Sequence, residues 1–309
     1  MKKTNMLLMT IVLMTILLTV GCAGSGNQGN QPEDEVGYIN DDLLISVDWL
    51  SNNLQKDNVM ILDARSAEEY QAGHIPGAIN TPWQMFAKVD GAPGEPGWGV
   101  LKDAKRLSQI FSELGINDNK QMVVYADPNA WGEDGRIVWM LRMAGLGNSS
   151  ILNGGWVGWK NNNEEISTET VQVEPEEFSI AALDKELTAS TEWILERQGE
   201  IKIVDSRSSK EFEGAVDYGE KRGGHLPEAI NIPFKEVLRD DATVKSQEEL
   251  EKLFAEAGLK PEDEIVVYCT AGIRSAHLTL ILRMAGFENA RNYDASYYEW
   301  AGNEQLPLE

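Results

Sequence analysis

The chain has 309 residues, 42% hydrophobic and 25% charged, with 28 Gly, 11 Pro and 2 Cys, which excludes a collagen-like, disulfide-stapled or largely disordered protein. At roughly 150 residues per domain the length allows two hydrophobic cores. With 27 basic against 50 acidic residues and a net charge of −23, nucleic acid is excluded as a partner, and any anionic ligand has to be held by local groups.

Lys2 and Lys3 precede an apolar run over residues 6–20, too short to span a bilayer comfortably, which predicts a signal peptide over residues 1–21. The run ends on Thr19-Val20-Gly21-Cys22 and passes into AGSGNQGNQPEDE, a stretch without hydrophobic period that predicts a flexible tether over residues 22–38. Small residues before a cysteine at this place resemble a bacterial lipoprotein signal, although Thr19 stands where that family prefers Leu. The resemblance implies lipidation of Cys22, a membrane reached through that N-terminal lipid, and an extracytoplasmic globular part. The alternative is an uncleaved N-terminal anchor. With Cys22 lipidated, Cys269 has no partner in the chain and is a free thiol in an oxidising compartment.

The remainder is a repeat. Ile61-Leu62-Asp63-Ala64-Arg65-Ser66 returns as Ile203-Val204-Asp205-Ser206-Arg207-Ser208, and GHIPGAINTP from Gly73 returns as GHLPEAINIP from Gly224. VVYA from Val123 returns as VVYC from Val266, and LRMAG occurs from both Leu141 and Leu282. So long a period means two homologous globular domains, expected at residues 39–165 and 166–309, with the join in the polar stretch NNNEEISTET. Within each copy, continuous β-branched runs (residues 59–62 and 122–125; 201–204 and 265–268) alternate with amphipathic stretches (107–114; 250–257). Such runs suit strands covered on both faces, so the fold class is α/β, each domain a mostly parallel sheet flanked by helices.

The most specific local signal is Val266-Val267-Tyr268-Cys269-Thr270-Ala271-Gly272-Ile273-Arg274-Ser275, where a buried-strand run ends on a cysteine and a short loop leads into the helical pattern AHLTLILRMAG. In an open α/β sheet ligands bind at the carboxyl ends of the strands. A thiol there faces a helix N-terminus, whose free N–H groups favour the thiolate, which makes Cys269 a candidate nucleophile. The alternative is a buried structural cysteine. Arg274 either holds an anion or closes the loop in an ion pair. Three His and one usable Cys give no metal constellation, and no cofactor is implied.

The DSRS, GHLPEAINIP and VVYCTAGIR segments in this order, with NYDASYYEW near the C-terminus, resemble the rhodanese domain. Two such domains in tandem resemble the thiosulfate and 3-mercaptopyruvate sulfurtransferases, over about residues 40–305. That resemblance implies that Cys269 takes a sulfane sulfur from a small anionic donor as a persulfide and passes it to a thiol or cyanide acceptor. It implies that the loop Cys269, Thr270, Ala271, Gly272, Ile273, Arg274 wraps the sulfur with backbone N–H groups, and that Arg207 of the DSR segment pairs with Asp205 or lines the substrate site. Four residues separate Cys269 from Arg274, where phosphatase-type relatives have five, so a single sulfur atom suits the ring better than a phosphate. Neutral Thr270 and Ala271 lean towards mercaptopyruvate. Glu211, however, stands where the family carries a second, donor-binding arginine, and it repels either donor unless it turns away. Lys210, Lys221 and Arg222 are the replacements at hand. His74 and His225 share a GH-x-P setting in both copies and are read as architectural; His277 receives no role.

The first copy has Ala126 at the position of Cys269, followed by Asp127-Pro128-Asn129-Ala130-Trp131-Gly132-Glu133-Asp134-Gly135-Arg136, and is expected to be catalytically silent. It carries seven of the nine tryptophans, and some of these are expected to wall the cleft over the active loop, Trp139 being assigned to packing. The competing reading of the whole chain is a non-catalytic sulfur-binding or interaction module at the cell surface.

Overall fold

The computed structural model describes residues 37–309. The predicted signal peptide, Cys22 and nearly all of the predicted tether lie outside the described residues. Strands β1 (Leu44–Ile45), β2 (Val59–Asp63), β3 (Ile79–Asn80), β4 (Gln121–Tyr125) and β5 (Ser149–Leu152) form one five-stranded sheet in the order β1-β5-β4-β2-β3. Strands β6 (Thr188–Ala189), β7 (Lys202–Asp205), β8 (Ile230–Asn231), β9 (Ile265–Tyr268) and β10 (Ala290–Tyr293) repeat it as β6-β10-β9-β7-β8. Every pairing in both sheets is parallel.

The continuous apolar runs divide between two cores because successive side chains leave a strand on opposite faces. In β9, Ile265 and Val267 enter a core shared by both domains, whereas Val266 and Tyr268 pack on the outer face of the second sheet. In β4, Met122 and Val124 join the shared core, and Val123 and Tyr125 the outer face of the first sheet. Helices α4 (Glu133–Met143) and α9 (Ile273–Met284) meet in this shared core. A side chain on Gly135 would sit 2.5 Å from the Cα of His277, so their approach requires glycine there. Trp139 is packing, as expected, with its indole N–H donated to the Leu187 carbonyl at 2.8 Å.

The chain stays with the first domain as far as Ile180. His74 and Ser167 exchange backbone hydrogen bonds, and Ser108 and Ser112 of α3 (Ala104–Glu113) bind the backbone of Ile180 and Phe178. His74 and His225 are architectural: each stacks on a neighbouring ring, Tyr70 at 3.8 Å and Phe212 at 3.7 Å, and each sets Nδ1 against that neighbour's backbone carbonyl.

Candidate active site

Strand β9 delivers Cys269 to the carboxyl edge of the second sheet, and the chain reverses through Thr270–Gly272 into α9. Gly272 makes the turn possible: its φ is +79° and a Cβ would lie 2.4 Å from the Asp294 carbonyl oxygen. The start of α10 (Ser296–Gly302) clamps the loop from the other side. The Cys269 N–H donates to Ser296 Oγ at 3.1 Å, and the N–H groups of Tyr297 and Tyr298 donate to the carbonyls of Cys269 and Thr270. Ser296 sits at φ +54°, a conformation serine rarely adopts, held there by its hydroxyl bond to the Tyr293 carbonyl.

Cys269 is 1% exposed and forms part of the floor of a cavity of about 410 Å³ between the two domains. Burial pushes its thiol up, but the Arg274 charge, the Ser275 hydroxyl at 3.6 Å from Sγ and the backbone N–H groups of Ser275 and Ala271 outweigh that, so the thiol lies below its ordinary value of 9.0. The helix N-terminus and loop amides therefore favour the thiolate, as the strand-loop-helix pattern predicts.

Arg274 and Glu211 resolve one open question. The guanidinium binds both carboxylate oxygens, Nη1 to Oε2 at 2.8 Å and Nη2 to Oε1 at 2.7 Å, and Nη2 also donates to Thr270 Oγ1 at 2.6 Å. Glu211 thus turns away from the donor path and onto the loop, and Arg274 closes the loop in an ion pair; its candidate role of holding an anionic donor is corrected to that extent. The charge of Arg274 still reaches Cys269 and its side chain still lines the cavity. Despite a desolvation penalty that raises it, the Glu211 carboxyl is held at about 2 by Arg274 and by Ser208. Glu211 is the third residue of α7 (Ser209–Phe212) and closes a capping box with Ser208, as Glu69 does with Ser66 in the first domain.

Thr270, Ala271 and Ile273 line the cavity, and Gly272 does not; its carbonyl accepts from Arg136 at 3.1 Å. Arg207 does not line it. Its side chain is fully buried, bidentate to Asp205, bound to the Gly224 carbonyl and stacked 3.9 Å over the Tyr297 ring, an arrangement copied by Arg65, Asp63 and Gly73 in the first domain. A residue sealed in by the same contacts in the copy without a thiol serves the fold. Two of the three replacement cations are engaged elsewhere: Lys210 pairs with Asp217, and Arg222 binds the carbonyls of Trp300, Ala301, Asn303 and Leu306.

The first domain supplies the opposite wall. Trp83, Trp98 and Trp131 line the cavity, with Tyr218 and Tyr298 from the second domain. Two contacts from α4 escaped the sequence reading. Arg136 reaches across to the Gly272 carbonyl at 3.1 Å, to Asp294 and to the Gly99 carbonyl, tying the active loop to the silent domain. Glu133 lines the cavity, and counting back from the shared LRMAG it holds the position that Arg274 holds in the second copy. Burial raises its carboxyl to about 7, against the lowering pull of the backbone N–H groups of Glu133 and Trp131.

The description of the rhodanese-like domain as a family matches residues 46–162 and again residues 190–303. The chain belongs to the rhodanese family. Over 277 residues this rhodanese is 30% identical to a putative thiosulfate sulfurtransferase of Mycolicibacterium smegmatis, covering 87% of this chain and 98% of the relative. It is 30% identical over 278 residues to the 3-mercaptopyruvate sulfurtransferase of Escherichia coli, covering 86% and 97%. The crystal structure of a 3-mercaptopyruvate sulfotransferase from Escherichia coli superposes with a TM-score of 0.73 at 29% identity, over 82% of this chain and 98% of that one. The tandem rhodanese is an enzyme of the sulfurtransferase family.

Proposed function

We propose that this rhodanese transfers one sulfane sulfur from thiosulfate or 3-mercaptopyruvate to a thiol or cyanide through a persulfide on Cys269. The observation that carries the proposal is a thiol of lowered pKa on the floor of an interdomain cavity, ringed by loop N–H groups. The Cys269 thiolate attacks the outer sulfur of thiosulfate; the donor S–S bond breaks with its electron pair on departing sulfite, and Cys269 holds the persulfide anion. With 3-mercaptopyruvate the C–S bond breaks instead, and the thiol proton ends on the carbon of the departing pyruvate. In the second step a thiol attacks the terminal sulfur, its proton leaves with the new persulfide and Cys269 regains its thiolate; cyanide gives thiocyanate by the same displacement. No cofactor is needed for this balance. The names of the Mycolicibacterium smegmatis and Escherichia coli relatives agree with both donors.

Initial rates measured across a grid of donor and acceptor concentrations test the route. Parallel double-reciprocal lines are expected for double displacement, and intersecting lines would refute it. Against a non-catalytic docking module stands the Glu211 carboxylate, which faces Arg274 and leaves the loop open to a donor. We also propose that Cys22 carries lipid and tethers the enzyme outside the cytoplasm. Radiolabelled fatty acid should enter the full chain in cells and not its Cys22→Ala variant; equal labelling would refute the anchor.

A further inference from the structure

The cavity over Cys269 is unusual in what its charges leave over. Among the described residues Arg274 is the one basic side chain lining it, and that charge is matched by both carboxylate oxygens of Glu211. Negative charge remains: the Cys269 thiolate, or its persulfide, on the floor and Glu133 on the wall. The wall itself is aromatic. Trp83 and Trp98 lie edge to face at 5.8 Å and 78°, and Trp98 and Tyr298 edge to face at 5.8 Å and 75°, so the three rings pack in series along the cavity. At the rim Trp131 and Tyr218, each 40% exposed and each from a different domain, meet at 5.1 Å. The face of Trp131 already takes a cation, the Arg274 guanidinium 4.9 Å above it.

Electron-rich ring faces with a carboxylate among them attract organic cations, whereas an anionic donor is left to the loop N–H groups and the Arg274 charge at the floor. Given the sulfur transfer proposed above, we infer that the cleft selects its acceptor by positive charge: a small thiol carrying an ammonium group, seated against Trp83 and Trp98 with Glu133 as counter-ion. The transfer step is the one already written, with the acceptor thiol attacking the terminal sulfur of the persulfide and Cys269 leaving as thiolate. Formation of the persulfide keeps the floor anionic and so adds to the preference.

Binding tests this apart from sulfur chemistry. The full chain is titrated at pH 8, where Glu133 is ionised, with tryptophan fluorescence as the signal and three probes of one shape: choline, its uncharged isostere 3,3-dimethylbutan-1-ol, and the anion 3,3-dimethylbutanoate. Choline should bind at least about tenfold more tightly than the alcohol, and the anion more weakly still. Glu133→Gln, at a partly exposed position, should fold normally and bring choline to within about twofold of the alcohol. Equal affinities, tighter binding of the anion, or a choline preference that Glu133→Gln leaves intact would overturn the inference. With sulfur-loaded enzyme, cysteamine should discharge Cys269 faster than 2-mercaptoethanol, and 3-mercaptopropionate slowest, once rates are corrected for thiolate fraction; the reverse order counts against it. A Cys269 that takes no sulfur refutes the transfer route alone, and the choline series still decides the charge preference.

Discussion

Glu211→Gln separates the loop's ion pair from its catalysis. The side chains of Arg274 and Glu211 are 6% and 3% exposed, so the substitution leaves a guanidinium charged in a nearly dry site. Breaking a buried pair from one side costs about 3 to 5 kcal/mol. A second figure comes from titration: holding the carboxyl at about 2 instead of its ordinary 4.5 is worth about 3 kcal/mol, of which partial screening leaves about 2 to 3. Gln keeps one acceptor oxygen, so a loss of about 2 to 4 kcal/mol in urea unfolding is expected. Removing both charges, as Glu211→Gln with Arg274→Met, should recover most of that, because no unpaired charge remains buried. The folded pKa is below the unfolded one, so the pair's contribution is full above about pH 4.5 and fades as pH falls through about 2. Wild type should therefore lose stability across that window more steeply than Glu211→Gln. A single variant within about 0.5 kcal/mol of wild type, or one with the same acid slope, would refute the assignment of Arg274 to loop closure.

Ser275→Ala removes the hydroxyl that donates to Sγ, so the Cys269 thiol should titrate higher; alkylation by iodoacetamide should slow at pH 7 and match wild type at high pH, and an unchanged profile would refute the contact. Gly272→Ala puts a Cβ against the Asp294 carbonyl at φ +79°, and should cost at least about 1 to 3 kcal/mol in thermal or urea unfolding while lowering kcat/KM. Arg136→Met strips a donor from the Gly272 and Gly99 carbonyls and leaves Asp294 unpaired from that side; stability should fall by about 3 kcal/mol, and Cys269 alkylation should slow although the substitution lies in the silent domain.

What was legible in the sequence was local or repeated. The doubled segments give two domains, the continuous runs give buried parallel strands, and Cys269 followed by Thr270-Ala271-Gly272 gives a strand-loop-helix site, because each signal spans fewer than a dozen residues. The contacts that define the cavity join distant positions, and no periodicity encodes them. Arg274 meets Glu211 across 63 residues, and Arg136 meets Gly272 across 136. One signal was available and not used: Ser208-Ser209-Lys210-Glu211 has capping-box spacing, as does Ser66 with Glu69, which marks Glu211 as a helix-start residue and not a failed donor-binding arginine. Of the two readings of Arg207, the pair with Asp205 holds and the place in the site lining does not, because a buried arginine bound to Asp205 and one lining a pocket share the same three letters of sequence; the buried counterpart Arg65 separates them. The tryptophan count of the first copy pointed to the cleft wall, yet Glu133 among them needed the fold to bring it there.

Intact-mass measurement of the folded chain after incubation with thiosulfate or 3-mercaptopyruvate tests the central claim most directly. Sulfur transfer through Cys269 predicts a gain of one sulfur atom, located on the Cys269 peptide, discharged by cyanide and absent from Cys269→Ser. A folded chain that gains no mass from either donor, or that gains it in Cys269→Ser, contradicts the account.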